Sequence, residues 1–236
     1  FLVACVAAML CGAFNGILVS KFNIQPMIAT LILFTAGRSI AAWINNNELP
    51  VISEESFGIY GGFIPGIPIP TPVFIMLICV LLTALALKYT NLGLYTQAVG
   101  INASSSRLNG LNPAFIKFIS FVILGLCVAV VGLIKVSRLS SINYSVIAKD
   151  IEMDAILAVA LGGNSLSGGK FNMTASILAA YVIQFLTTTL YKFNVESAAL
   201  SAYKAVVVIA LVVFSAPAVR KKFADLTKKM KPQAKE

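Results

Sequence analysis

The run FIKFISFVILGLCVAVVGLIKV (residues 115–136) decides the fold. Its charges are confined to Lys117 and Lys135, near its two ends. About 20 apolar residues suffice for a helix to cross the hydrocarbon core of a bilayer. On the same ruler six further segments stand out, at 1–20, 27–44, 73–89, 151–162, 172–191 and 202–219. The segment 151–162 is too short and broken for an ordinary span, and the others are near full length. The expected fold class is all-α: a polytopic membrane helical bundle over residues 1–219, showing about seven spans or broken spans, with a basic tail at 220–236.

Composition supports the same class. Of the 236 residues, 58% are hydrophobic and only 11% charged, with a mean hydropathy of +0.90. A soluble domain carries roughly 25% charged residues, so this chain lacks the charge to cover a water-facing surface. Seven of its 18 Lys and Arg fall within RKKFADLTKKMKPQAKE at 220–236. A basic end after an apolar helix anchors on the cytoplasmic side, near anionic lipid. No aromatic or basic patch accompanies it, so nucleic acid is not an expected partner. Cys5, Cys11, Cys79 and Cys127 lie in apolar runs without a CxxC pair, and the chain has no histidine. Disulfides, zinc centres and His-dependent catalysis thereby lose their raw material, and no cofactor is expected.

With the tail inside, the connections near 21–26, 89–114 and 163–171 fall inside, and those at 45–72, 137–150 and 192–201 fall outside. The outer 45–72 connection fits, holding Glu48, Glu54 and Glu55 without a Lys or Arg, whereas 137–150 fits less well because it holds Arg138 and Lys149. Within it IPGIPIPTP (residues 64–72) has four prolines, which predicts a stiff, extended loop. The inner 90–115 stretch, TNLGLYTQAVGINASSSRLNGLNPAF, contains a helix-start signal at Asn102 and a stop at Gly110, and Pro113 prevents continuation. These signals predict a short helix on the cytoplasmic face, where a soluble partner can grip it.

LGGNSLSGGKF (residues 161–171) suggests a phosphate-binding loop and fails on spacing. Such a loop needs a first glycine where Asn164 stands and a hydroxyl where Phe171 stands. Gly12, Asn15 and Gly16, with Gly125 and Gly132, are expected to let helices approach closely. Arg38 is costly in an apolar segment unless it faces a cavity or a partner, or snorkels to the interface.

Three blocks carry a family resemblance: FNGILVSKFNIQPMIATLILFTAGRSIA (14–41), AVGINASSSRLNGLN (98–112) and EMDAILAVALGGNSLSGGKFN (152–172). In order and spacing they resemble the permease subunits of ribose-type sugar ABC importers, with VGIN and GGKFN most similar to the galactofuranose-type permease. The resemblance implies a bacterial inner-membrane subunit that forms the translocation path and hydrolyses no ATP itself. The implied partners are a separate ABC ATPase, a periplasmic sugar-binding protein and a second permease subunit, the same chain or a related one. It also implies about ten spans, so about three are expected before Phe1. The 102–112 helix matches the family's coupling helix, in which Asn102, Ser104, Ser105, Arg107, Leu108 and Gly110 would meet the ATPase. The Asp154–Lys170 block matches a broken membrane segment beside the pore, where transporters often place substrate. Asn15, Gln25, Thr30, Arg38, Asn164 and Ser165 are the expected path residues, because a neutral sugar needs amide and hydroxyl partners. An ion-coupled secondary transporter of a small polar solute is the alternative; it usually shows paired intramembrane carboxylates or His relays.

Overall fold

In the computed structural model, residues 1–52, 55–64, 66–139, 141–144, 146–148, 150–165, 168–169, 171–193, 199, 202–203 and 205–206 are described. Their helices are α1 (Leu2–Ser20), α2 (Pro26–Ile44), α3 (Glu55–Gly58), α4 (Thr71–Tyr89), α5 (Leu92–Ile101), α6 (Ala103–Leu108), α7 (Pro113–Leu139), α8 (Ile151–Leu161) and α9 (Met173–Lys192). Proline marks three starts, since Pro26, Pro72 and Pro113 stand in the first turns of α2, α4 and α7. In a first turn the missing N–H of proline is no loss and its fixed φ suits the helix.

Helices α1, α2, α4, α7 and α9 are long and apolar enough to cross a membrane. Helices α1, α2 and α4 have 19 residues each, or about 28 Å at 1.5 Å per residue, close to the ~30 Å hydrocarbon core. Helix α8 has 11 residues, reaching only about 16 Å, so the expected broken segment is half a span. The chain is therefore a multi-pass, all-helical membrane protein. The last expected segment, 202–219, lies outside the described residues but for 202–203 and 205–206, which are helical, and the tail 220–236 lies outside them entirely.

The chain divides into two compact units, Phe1–Lys149 and Asp150–Glu236. In the first, α1 packs along α7 in antiparallel register. A Cβ at Gly12 would strike the carbonyl oxygen of Phe121, one at Gly16 would lie 3.0 Å from the Phe118 ring, and one at Gly125 would lie 2.5 Å from the Ala8 carbonyl oxygen. Small residues thus set the interhelical distance, as membrane helices require when lipid offers no hydrophobic drive. Gly132, grouped with them from sequence, has nothing within 4 Å of an added Cβ; it takes no part in this contact. Helix α2 buries only Ala29, and no residue of α4 is buried among those described. An apolar surface of that kind belongs against lipid or other spans.

In the second unit α8 and α9 form a helical hairpin, with Ala158, Ala179 and Ile183 buried and Leu157 and Leu161 packed against them. Gly162 allows the approach, for a Cβ there would lie 2.8 Å from the Ser176 nitrogen.

Two connections differ from the expectation. The 90–115 stretch contains α5 as well as the short helix, because Leu92–Ile101 has no helix breaker other than two glycines and is bounded by Asn91 and Asn102. The proline-rich 64–72 segment folds back rather than running extended. Phe63 and Pro70 pair in an antiparallel bridge, and the Thr71 N–H donates to the Gly62 carbonyl at 2.9 Å. Gly66, at φ +88°, supplies the left-handed turn that permits the return.

Candidate coupling and pore elements

Helix α6 is short, and both its ends are closed by side-chain and backbone hydrogen bonds. At its start the Asn102 Oδ1 accepts from the Ser105 N–H at 3.0 Å. At its end the Gly110 N–H donates to the Arg107 carbonyl and the Leu111 N–H to the Ser106 carbonyl, each at 3.1 Å. This pair of bonds with Gly110 at φ +82° is a Schellman closure, which favours glycine at the left-handed position. Six residues do not make a stable helix alone; α6 is held because both ends are satisfied and Ser106 is buried. The Ser106 hydroxyl also donates to the Asn102 carbonyl at 2.9 Å.

The residues expected at this helix therefore stand on one motif. Ser104, Ser105, Arg107 and Leu108 are exposed, Leu108 to 91%. An apolar side chain so exposed beside a cation is the composition of a contact surface rather than of a packed core. Next to it lies a cleft of about 530 Å³, lined among others by Ser20, Asn23, Ser104, Arg107 and Lys117. No Asp or Glu occurs between residues 56 and 149, so neither cation has an acidic neighbour in its own stretch. Lys117 and Ser106 were not legible as parts of this site. Lys117 reads as the inner end of a span, and Ser106 reads as one serine among three.

The α8–α9 break is built around Asn164. Its Nδ2 donates to the Val159 carbonyl at 3.2 Å and to the Ser176 hydroxyl at 2.5 Å, and its Oδ1 accepts the Asn172 N–H at 2.5 Å. Asn172 in turn caps α9 by accepting the Ala175 N–H at 3.1 Å. A second Schellman closure ends α8. The Gly163 N–H donates to Ala160 at 3.0 Å, the Asn164 N–H to Val159 at 3.3 Å, and Gly163 has φ +77°. The N–H groups of Gly163, Asn164, Gly168 and Asn172 are thus spent within the chain and are not free to converge on a phosphate. Ser165 is exposed, with its carbonyl accepting the Gly168 N–H. Of the residues expected here, Lys170 lies outside the described ones. Asn172 and Ser176 were missed, although an Asn before MTAS is a readable helix-start signal.

This network makes Asn164 structurally costly to remove. Asn164→Ala leaves the Asn172 N–H and the Ser176 hydroxyl without this partner, and is expected to cost about 1 kcal/mol. Thermal unfolding of the detergent-solubilised protein checks it: a clear fall in Tm is expected, and an unchanged Tm contradicts it.

The other expected path residues are not gathered into one site. Asn15 is buried, and its Oδ1 has no hydrogen-bond partner among the described residues. Gln25 is exposed at the N-cap of α2 without a side-chain capping bond. The Thr30 hydroxyl donates to the Pro26 and Met27 carbonyls at 3.0 and 3.1 Å. Arg38 is half-buried and donates to two backbone carbonyls, at Tyr144 and Ile147.

Comparison with known proteins places this architecture. Residues 1–216 match the family described as branched-chain amino acid transport system, permease component. The fructose import permease of Bifidobacterium longum is 36% identical over 99% of this chain and 67% of its own length. The galactofuranose transporter permease of Escherichia coli is 35% identical over 87% of this chain and 60% of its own. The ribose import permease of Escherichia coli is 36% identical over 88% of this chain and 67% of its own. The chain thus spans 60 to 67% of the length of these relatives. No solved structure matches it. The relatives include the ribose and galactofuranose types that the three sequence blocks resemble. With its membrane-length helices and a family match over nearly all its length, the chain belongs to the permease-component family of these transport systems.

Proposed function

We propose that the protein is the transmembrane permease subunit of an ATP-driven importer, carrying a monosaccharide inward across a bacterial inner membrane. The observation that carries the mechanism is α6: an exposed helix closed at both ends, presenting Arg107 and Leu108 beside a cationic cleft. Such a surface accepts force from a soluble partner, and in this reading the partner is a separate ABC ATPase subunit that hydrolyses the ATP. The substrate class rests on the fructose, galactofuranose and ribose import permeases to which the chain is similar.

In this reading α6 and the basic 220–236 tail lie on the cytoplasmic side, following the positive-inside bias. A periplasmic binding protein delivers the sugar to the opposite side, and a second permease subunit completes the pore. The hairpin break at Asn164 and Ser165 in one unit, and Asn15, Gln25 and Thr30 in the other, are the residues that would offer amide and hydroxyl groups to a neutral polyol. Contacts of this kind hold sugar weakly, which a pore needs in order to release it.

Reconstitution into proteoliposomes with the cognate ATPase and binding protein tests the proposal. Uptake of ribose, fructose or galactofuranose is expected only with internal-face ATP and loaded binding protein. Uptake that persists without ATP and follows an ion gradient would replace this reading with an ion-coupled carrier.

A further inference from the structure

We propose that Arg38 is a positioning residue: a clasp that holds the 141–147 strap against α2 and must release it when the permease opens its outer mouth. The strap connects α7 to α8, and its backbone turns at Asn143, whose carbonyl accepts the N–H groups of Val146 and Ile147 at 3.1 and 2.8 Å. The Arg38 guanidinium reaches both sides of this turn. Its Nη1 donates to the Tyr144 carbonyl at 2.5 Å, and its Nη2 makes a longer 3.5 Å contact with the Ile147 carbonyl. The guanidinium carbon lies 4.7 Å from the centre of the Phe34 ring, one turn earlier on α2.

The strap is stitched to the other outer connection as well. The Ile142 N–H donates to the Pro50 carbonyl at 3.0 Å, Val51 and Ser141 form an antiparallel bridge, and the Tyr144 hydroxyl donates to the Glu48 carbonyl. Just before the strap, the Ser137 hydroxyl donates to the Phe57 carbonyl at 2.5 Å. Two connections and one helix are therefore tied together, and Arg38 joins α2 to the strap.

Two features make this a clasp rather than a fixed strut. The Arg38 acceptors are neutral carbonyls, so each bond is weaker than a carboxylate pair and breaks without stranding a buried anion. Both acceptors belong to one turn, so movement of the turn breaks both contacts together. Only a planar, forked donor set spans two carbonyls in this way, so a lysine ammonium keeps at most one of the contacts.

The gating role rests on the importer reading above; the clasp itself does not. The test uses the full chain with Cys5, Cys11, Cys79 and Cys127 replaced by alanine and spin labels at N46C and V146C, both exposed positions, in lipid nanodiscs. A narrow label-to-label distance distribution is expected, and Arg38→Gln should broaden and lengthen it. Arg38→Lys should do the same in part, which keeps the test open where Arg38→Gln folds poorly. In proteoliposomes with ATPase and binding protein, Arg38→Gln should lower the maximal uptake rate at least tenfold while leaving the KM for loaded binding protein within twofold. Unchanged distances in both variants would overturn the clasp. A raised KM with unchanged maximal rate and distances would overturn it in favour of a direct sugar contact. Absence of uptake by the unsubstituted protein would overturn the importer reading and the gate, with the distances still deciding the clasp.

Discussion

In the importer reading proposed above, Arg107→Ala combined with Gly110→Val is expected to abolish sugar uptake while the ATPase keeps its basal hydrolysis. The two substitutions act on different links of the same motif. Gly110 sits at φ +82°, a region that a β-branched residue enters only with strain of roughly 1–3 kcal/mol. Valine there opens the Schellman closure that joins Gly110 to Arg107 and Leu111 to Ser106, so the end of α6 loses its fixed direction into Leu111. Arg107→Ala removes the exposed cation that lines the cleft beside this end. A helix of six residues has no cooperative reserve with which to re-form. The measurement is paired: ATP-driven uptake and ATP hydrolysis by the same proteoliposomes, with and without loaded binding protein. The expected result is loss of at least 95% of uptake and of the stimulation by loaded binding protein. Wild-type uptake by the double variant would remove α6 from the coupling role. Lys117→Ala, which empties the other side of the cleft of charge, is expected to weaken uptake by a smaller factor because it leaves the helix intact.

The parts of this molecule that sequence made readable are those governed by local chemistry. Spans announce themselves through length and apolarity, and prolines stand in the first turns of α2, α4 and α7. The α6 motif was legible for the same reason: Asn102 and Gly110 each have a local backbone task that few residues perform. Helix α5 was not legible, because LGLYTQAVGI has two glycines and no strong periodicity, and only its neighbours α4, α6 and α7 give it a place. Among the candidate path residues the gap is wider. Thr30 and Asn164 are polar residues in apolar surroundings, which suggested substrate, yet their hydrogen bonds go to helix carbonyls and helix ends. Arg38 finds its acceptors 106 and 109 residues away in sequence. No local pattern encodes a bond between a side chain and backbone carbonyls so distant, because a carbonyl acceptor carries no residue identity. The Gly-rich 161–171 stretch shows what local chemistry does carry: its glycines signalled special backbone, and Gly163, Gly168 and Gly169 all have positive φ.

The close approach of α1 and α7 yields the second large expectation, that Gly125→Val disrupts the first unit while Gly132→Val in the same helix does not. Both glycines lie in α7, so helix propensity affects them alike. The difference is tertiary. A Cβ at Gly125 would lie 2.5 Å from the Ala8 carbonyl oxygen and 3.2 Å from the Met9 Cα, whereas nothing lies within 4 Å of one at Gly132. The atoms in the way at Gly125 are backbone, which has no rotamer to adopt, so the helices must separate along their whole contact. Separation also loosens Gly12 from Phe121 and Gly16 from Phe118, because these contacts lie on the same face at helical spacing. Overpacking of this kind costs about 3 kcal/mol, a large part of the stability that holds a domain together. Thermal unfolding in detergent, read by the shift to aggregated protein, is expected to fall by 10 °C or more, roughly what that energy implies for a domain of this size, for Gly125→Val and by less than about 2 °C for Gly132→Val. Equal shifts in the two variants would mean that α1 and α7 are not held in this register. A loss at Gly132 alone would place a partner against that face of α7 instead. The expected asymmetry follows from one geometric fact, that the helix approach is limited by main-chain atoms and only glycine leaves them room.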